Sequence, residues 1–176
     1  MRVTPQTVRA ERDYVRERAD TVVPLIDATR SALGEAFDAE FEPVSPAAYR
    51  AEVDAVFADG DRAVNVAALV ALLRDLDVVD DYPGFVVDEQ LGRLLASTIA
   101  GGQPLATLAE ATFHYADTHV DGGGPPATGD TESGDSAPPD AEPAGVDDLD
   151  AALAAGFQTR LPGWEWTETA SPFAVE

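Results

Sequence analysis

No cysteine and no lysine occur in the 176 residues of this chain. The first absence excludes disulfides, thiolate metal sites and cysteine nucleophiles. The second leaves arginine as the only strongly basic residue: 11 arginines face 33 aspartates and glutamates, for a formal net charge of −22. Long apolar runs are missing too. None approaches the ~18 residues of a membrane span, and the opening MRVTPQTVRAERDYV lacks the apolar centre of a signal peptide. A soluble, cytoplasmic protein with no membrane partner is expected.

Recognisable catalytic signatures are equally scarce. The chain has no GxSxG, no phosphate-loop Gly-Lys-Ser/Thr, no HExxH and no glycine fingerprint following a strand. No cofactor is expected, and the reading is of a protein that is not an enzyme.

What is abundant is negative charge. In ordinary buffer a surplus of this size opposes the compact state. At molar salt the screening length falls to roughly 3 Å and the repulsion between surface carboxylates largely disappears. Arginine in place of lysine, with much Ala, Gly and Pro, also follows from a GC-rich genome, but codon bias does not account for 33 carboxylates. A halophilic, salt-filled cytoplasm is the environment the composition suits.

The apolar pattern has helical period through most of the chain. Val8, Val15, Ala19, Val22, Ile26 and Leu33 share one side of a wheel from Gln6 to about Leu33, with Pro24 expected to kink the helix. Ser45 and Pro46 announce a second helix carrying Tyr49, Val53, Val56 and Phe57 and stopping at Asp59-Gly60. A third, capped by Asp61, buries Val66, Leu69, Val70, Leu73 and Leu76. Asp88 opens a fourth with Leu91, Leu94, Leu95 and Ile99 inward, closed by Gly101-Gly102. Pro104 opens a fifth, whose apolar side is Leu105, Leu108, Ala109, Phe113, Ala116 and Val120.

Five such helices with short connections predict an all-α fold, a compact bundle domain over 1–120. Residues 121–146 hold Pro, Gly, Ser, Thr, Asp and Glu with almost nothing to bury, and read as a disordered acidic linker. Beyond it, 147–176 reads as a short helix with Leu149, Leu153 and Phe157 at four-residue spacing, then an extended aromatic segment with Trp164, Trp166 and Phe173. Side chains this large must find an apolar seat, on this molecule or on a partner protein. A 26-residue linker spans roughly 28 Å, enough to reach most of the bundle's own surface, so docking in cis is favoured.

Three other clusters invite a sharper chemistry. Glu110, His114 and Asp117, at i, i+4 and i+7, project from one face of the fifth helix and could hold a divalent metal or act in a metal-dependent enzyme. That face lies opposite the apolar stripe and no second histidine motif supplies further ligands, so solvent-exposed side chains are the simpler account. Asp75, Asp77, Asp80 and Asp81 imitate a calcium loop, but Val79 stands at a ligand position and the required glycine is missing. Five arginines, Arg2, Arg9, Arg12, Arg16 and Arg18, crowd the N-terminus, and Asp13 and Asp20 are placed to neutralise them along the helix.

The hairpin over 88–119 has the outline of a helix-turn-helix. Its would-be recognition helix offers Gln103, Thr107, Glu110 and His114 with no lysine or arginine, which makes nucleic acid an unfavoured partner. The leading expectation is therefore a non-catalytic, cytoplasmic interaction or adaptor protein. A helical DNA-associated regulator is the alternative, and a metal-dependent enzyme centred on His114 comes third.

Overall fold

The computed structural model describes residues 2–76, 86–120 and 144–164. Among them the chain is all-helical, with seven helices: α1 (Pro5–Glu17), α2 (Ala19–Phe37), α3 (Pro46–Ala58), α4 (Gly60–Arg74), α5 (Val87–Ala100), α6 (Leu105–Val120) and α7 (Ala144–Gln158). The all-α bundle read from periodicity is what forms, with one helix more than expected, and the short C-terminal helix read beyond the linker is present as well.

The surplus helix comes from a break. The single helix expected from Gln6 to Leu33 is interrupted at Arg18, while Pro24 lies inside α2. The interruption lets α1 pack on α3 and α4 while α2 turns onto α6 and α7, which one straight rod could not do. Val15, Ala19, Val22 and Ile26 all remain fully buried across the break. Pro24 then sits in the second turn of α2, where its missing N–H frees only the carbonyl of exposed Asp20 near the helix start.

Local chemistry explains most helix ends. Thr4 and Thr7 close a reciprocal capping box at the start of α1, with the Thr4 amide 2.7 Å from the Thr7 hydroxyl and the Thr7 amide 3.2 Å from the Thr4 hydroxyl. Ser45 accepts from the Ala48 amide at 3.1 Å ahead of Pro46, as its spacing predicted. Two expected starts move: α4 begins at Gly60 behind Asp59, ahead of Asp61, and α5 begins at Val87, one residue before Asp88. Gly101, at φ 93°, ends α5.

The expected C-terminal helix changes the architecture by where it packs. Helix α7 starts at Ala144, inside the range 121–146 expected to be linker; residues 121–143 and 165–176, including Trp166 and Phe173, lie outside the described residues. From Ala151 to Ala155 every side chain of α7 is fully buried, and Leu149, Leu153 and Phe157 are as well. One apolar cluster joins these residues to Val15 and Ile26, to Tyr49 and Val53, to Val66 and Leu73, to Leu95 and Ile99, and to Phe113. A helix that is apolar or small all round is one that the core surrounds.

Small residues make that central seat possible. A Cβ on Gly145 would stand 2.3 Å from the Leu73 carbonyl oxygen and 3.0 Å from the Leu76 Cβ. Backbone cannot move aside as a side-chain tip can, so Gly145→Ala is expected to push α7 off α4 and cost about 1–3 kcal/mol. Chemical denaturation checks it, and a midpoint equal to that of the parent chain would contradict the packing described.

Candidate functional site

The C-terminal residues singled out for docking are seated in their own bundle as far as Trp164. Leu149, Leu153 and Phe157 are in the core, Phe157 meeting the Tyr49 ring edge-on with centroids 5.1 Å apart. Gln158 and Thr159 are also buried. After Leu161 the chain turns at Gly163, whose φ of 118° suits glycine alone and whose missing Cβ leaves room for the Phe41 ring. Trp164 then packs on Phe41 at 5.1 Å between centroids, and its Nε1 donates to the Gln158 carbonyl at 2.8 Å. The polar handle and the apolar body of the indole are both accommodated.

Arg30 completes this corner. Its guanidinium lies 4.7 Å over Phe41 and donates to the Pro162 carbonyl. Beside it opens a cleft of about 700 Å³ between the end of α2 and residues 39–43, bordered by Asp27, Glu35, Glu40 and Glu42. Asp27 accepts from the Val44 amide at 2.9 Å and so holds this loop to α2.

Charged side chains tie α7 to the N-terminal helices. Arg18, at the α1–α2 break, forms a two-armed ion pair with Asp150, and also donates to the Tyr14 hydroxyl at 3.3 Å. Asp150 is buried and Arg18 nearly so. At the other end of α7, Arg160 reaches Glu52 on α3 at 3.0 Å and the Ile99 carbonyl on α5 at 3.4 Å.

Of the N-terminal arginines, Arg16 and Arg18 pair between helices. Arg16 bonds Asp54 and the Arg50 carbonyl of α3, and Arg12 takes its neighbour Asp13 at 2.7 Å. The intrahelical ladder expected from spacing gives way because α3 lies against α1, within reach of Arg16. Arg74 of α4 likewise meets the buried Glu11 of α1 at 2.8 Å. Burial pushes the Glu11 carboxyl above the ordinary carboxylate range, Arg74 opposing that shift only in part. Burial raises the Tyr49 phenol as well, and its hydroxyl donates to the Val15 carbonyl at 3.0 Å.

The other candidates stay apart from these features. Glu110 and His114 are exposed on α6 and Asp117 is half-buried, while Phe113, Ala109 and Ala116 face the core. Among the described residues no group of three or more His, Asp or Glu side chains converges on a metal-sized position. Of the calcium-like run, Asp75 is the C-cap of α4, with a carboxylate oxygen 3.6 Å from Arg74; Asp77, Asp80 and Asp81 lie outside the described residues. Within the hairpin 88–119, α5 and α6 pack on each other and both on α7, and Gln103 accepts from the Thr107 hydroxyl.

One surface was not read from the sequence. From Ala63 to Leu73, α4 carries no ionisable residue, and its outer side shows Val64, Ala68 and Leu72 at four-residue spacing. Val64 and Leu72 remain 45% and 43% exposed. Helix α5 runs beside α4, the start of α4 meeting the end of α5 where the Arg62 guanidinium crowds Gly101. Its outward apolar side chains are Val87 and Leu94, the latter 52% exposed. Val86 and Val3 are exposed as well, and Val3 lines a small groove with Ala67 and Ala71 of α4. Of the large apolar side chains left in water among the described residues, only Tyr115 lies outside the N-terminus and these two helices. Part of the signal was legible: Ala63–Leu73 is an uncharged run of eleven residues, shorter than the sixteen of 94–109 but confined to one helix. Periodicity assigned Val66, Leu69, Val70, Leu73 and Leu76 to a buried face and left Val64 and Leu72 without a place.

A family model described as a domain of unknown function (DUF7984) matches residues 1–176. The chain belongs to this family. The match runs through the bundle, the intervening 121–143 and the C-terminal segment alike, so α7 lies within the family's extent along with the helices that surround it. Comparison with curated proteins and with solved structures gives no match. No helix among the described residues is long and apolar enough to cross a membrane.

Proposed function

We propose that this is a non-catalytic interaction protein of a salt-adapted cytoplasm, which binds a protein partner through the uncharged outer face of α4 and the adjoining apolar side chains of α5. The observation that carries the reading is the outer row Val64, Ala68, Leu72, its two large side chains exposed and Ala68 half-buried between them, on a molecule of net charge −22. Apolar side chains left in water at high salt are unfavourable, since salts that strengthen apolar burial raise the cost of exposing them. A patch that excludes charge from an otherwise acidic surface marks a contact.

This relocates the docking element. The aromatic C-terminal segment, expected to dock in cis or on a partner, is occupied within the bundle through Trp164, and the free surface lies on α4 and α5. Affinity capture in molar potassium chloride tests the reading, using the full chain and its Leu72→Glu variant as baits. A protein held by the parent chain and lost with Leu72→Glu supports it. Equal recovery by both baits, or recovery of nucleic acid in place of protein, counts against it, the latter favouring the regulator built on 88–119.

A further inference from the structure

We infer that the partner of the α4 face is a second copy of this chain, joined about a two-fold axis at Ala68 and only when salt screens the carboxylates. The inference rests on the interaction reading above and narrows it to one occupant.

Charge selects the partner. Two molecules of charge −22 repel wherever their ordinary surfaces meet, and burying carboxylates against each other costs more still. Contact between copies is tolerable only where neither brings a charge into the interface. The stretch Ala63–Leu73 meets that condition, and a second copy necessarily presents the same stretch. A two-fold contact sets a patch against itself, so the whole centre stays free of ionised groups.

The row is also self-complementary in shape. Val64, Ala68 and Leu72 are spaced i, i+4, i+8 with the small residue in the middle. Set antiparallel against its twin, Ala68 meets Ala68 at the axis and lets the helices approach. Val64 of each copy then faces Leu72 of the other. Rows of this spacing interlock when helices cross at about −50°, the commonest packing class. Leu94 and Val87 of α5 are placed to flank such a contact.

The ends of the row make the association depend on salt. Asp61 and Asp75 lie seven residues before and after Ala68, so the same antiparallel alignment sets Asp61 of one copy toward Asp75 of the other. Both are exposed. At 0.01–0.1 M salt the screening length is about 10–30 Å and these like charges repel across the axis; at 1 M it is about 3 Å and the apolar centre prevails. An interface held by ion pairs would respond in the opposite direction.

The chain's lack of cysteine makes the geometry directly testable. In Ala68→Cys the introduced thiol is the only one, and two copies meeting at the axis bring the two sulfurs together. Mild oxidation in 2–4 M potassium chloride is expected to give a disulfide-linked dimer, while Glu110→Cys, at an exposed position of α6, stays monomeric under the same treatment. Sedimentation equilibrium of the parent chain in that salt is expected to show a dimer, and Leu72→Glu a monomer with unchanged circular dichroism. Asp61→Asn with Asp75→Asn should extend the dimer to several-fold lower salt.

A parent chain that stays monomeric in molar salt at tens of micromolar overturns the inference, as does a dimer that neither Leu72→Glu disrupts nor Ala68→Cys cross-links. If that monomer still captures a different protein through Leu72, the interaction reading stands and only the second copy is wrong. If it captures none, both fall.

Discussion

Removing residues 144–176 is expected to abolish cooperative folding of the remainder. Helix α7 supplies Leu149, Leu153 and Phe157 to the one apolar cluster, the residues after it add Leu161, and Val146 and Trp164 are buried too. Losing a buried leucine side chain typically costs 2–5 kcal/mol and a buried phenylalanine 3–5 kcal/mol. These three positions together are worth roughly 7–15 kcal/mol, comparable to the 5–15 kcal/mol by which ordinary domains are stable. The deletion also strips the inner faces of α2, α5 and α6, which α7 covers. Thermal scanning calorimetry of the 1–143 chain in molar salt is the measurement. No cooperative transition is expected, and a transition near the parent's melting temperature would show that α7 is an accessory and not the centre.

The second large effect concerns the ion pair between Arg18 and Asp150. Both arms of the guanidinium engage the carboxylate, and Asp150 is buried between the α1–α2 break and α7. Removing one member leaves the other charged in a poorly solvated position, which costs about 3–5 kcal/mol. For a chain of this length that is roughly a 6–20 °C drop in melting temperature. Asp150→Ala is expected to show it. The double replacement Arg18→Met with Asp150→Leu should recover most of the loss, because a buried pair can often be exchanged for apolar groups of similar volume at little net cost. High salt should leave the Asp150→Ala deficit nearly unchanged, since buried charges are screened far less than surface ones. A deficit under 1 kcal/mol, or one that salt removes, would place the pair in solvent.

These two results bear on the same feature, the way α7 is held. Apolar burial provides most of the energy, and the Arg18–Asp150 and Arg160–Glu52 pairs set where along the bundle the helix comes to rest. The proposed interaction face is a consequence of this arrangement. With α7 filling the centre, α4 turns one side to α7 and the core and keeps Val64, Ala68 and Leu72 outside.

The sequence by itself determined the fold class, the capping of α3, the glycine end of α5 and the inward turn of Tyr49, Val53 and Val56 on α3 and of Ala109, Phe113 and Ala116 on α6. Each of these depends on a local rule: a 3.6-residue period, a serine before a proline, a glycine where φ must be positive. The net charge of −22 is likewise independent of how the chain folds. Tertiary structure alone decided where the rod from Gln6 to Leu33 breaks, since that depends on which partners lie beside α1 and α2. It decided that Arg16 pairs with Asp54 and Arg18 with Asp150, because a residue 38 or 132 positions away in sequence competes with neighbours four away only once the bundle has formed. It also decided the rank of α7. On a wheel, AALAAGF shows one stripe of large side chains and a back of alanines and glycine that looks indifferent. Packed between other helices, that back is what allows close approach on every side, and small residues become core only when neighbours come near enough to touch them.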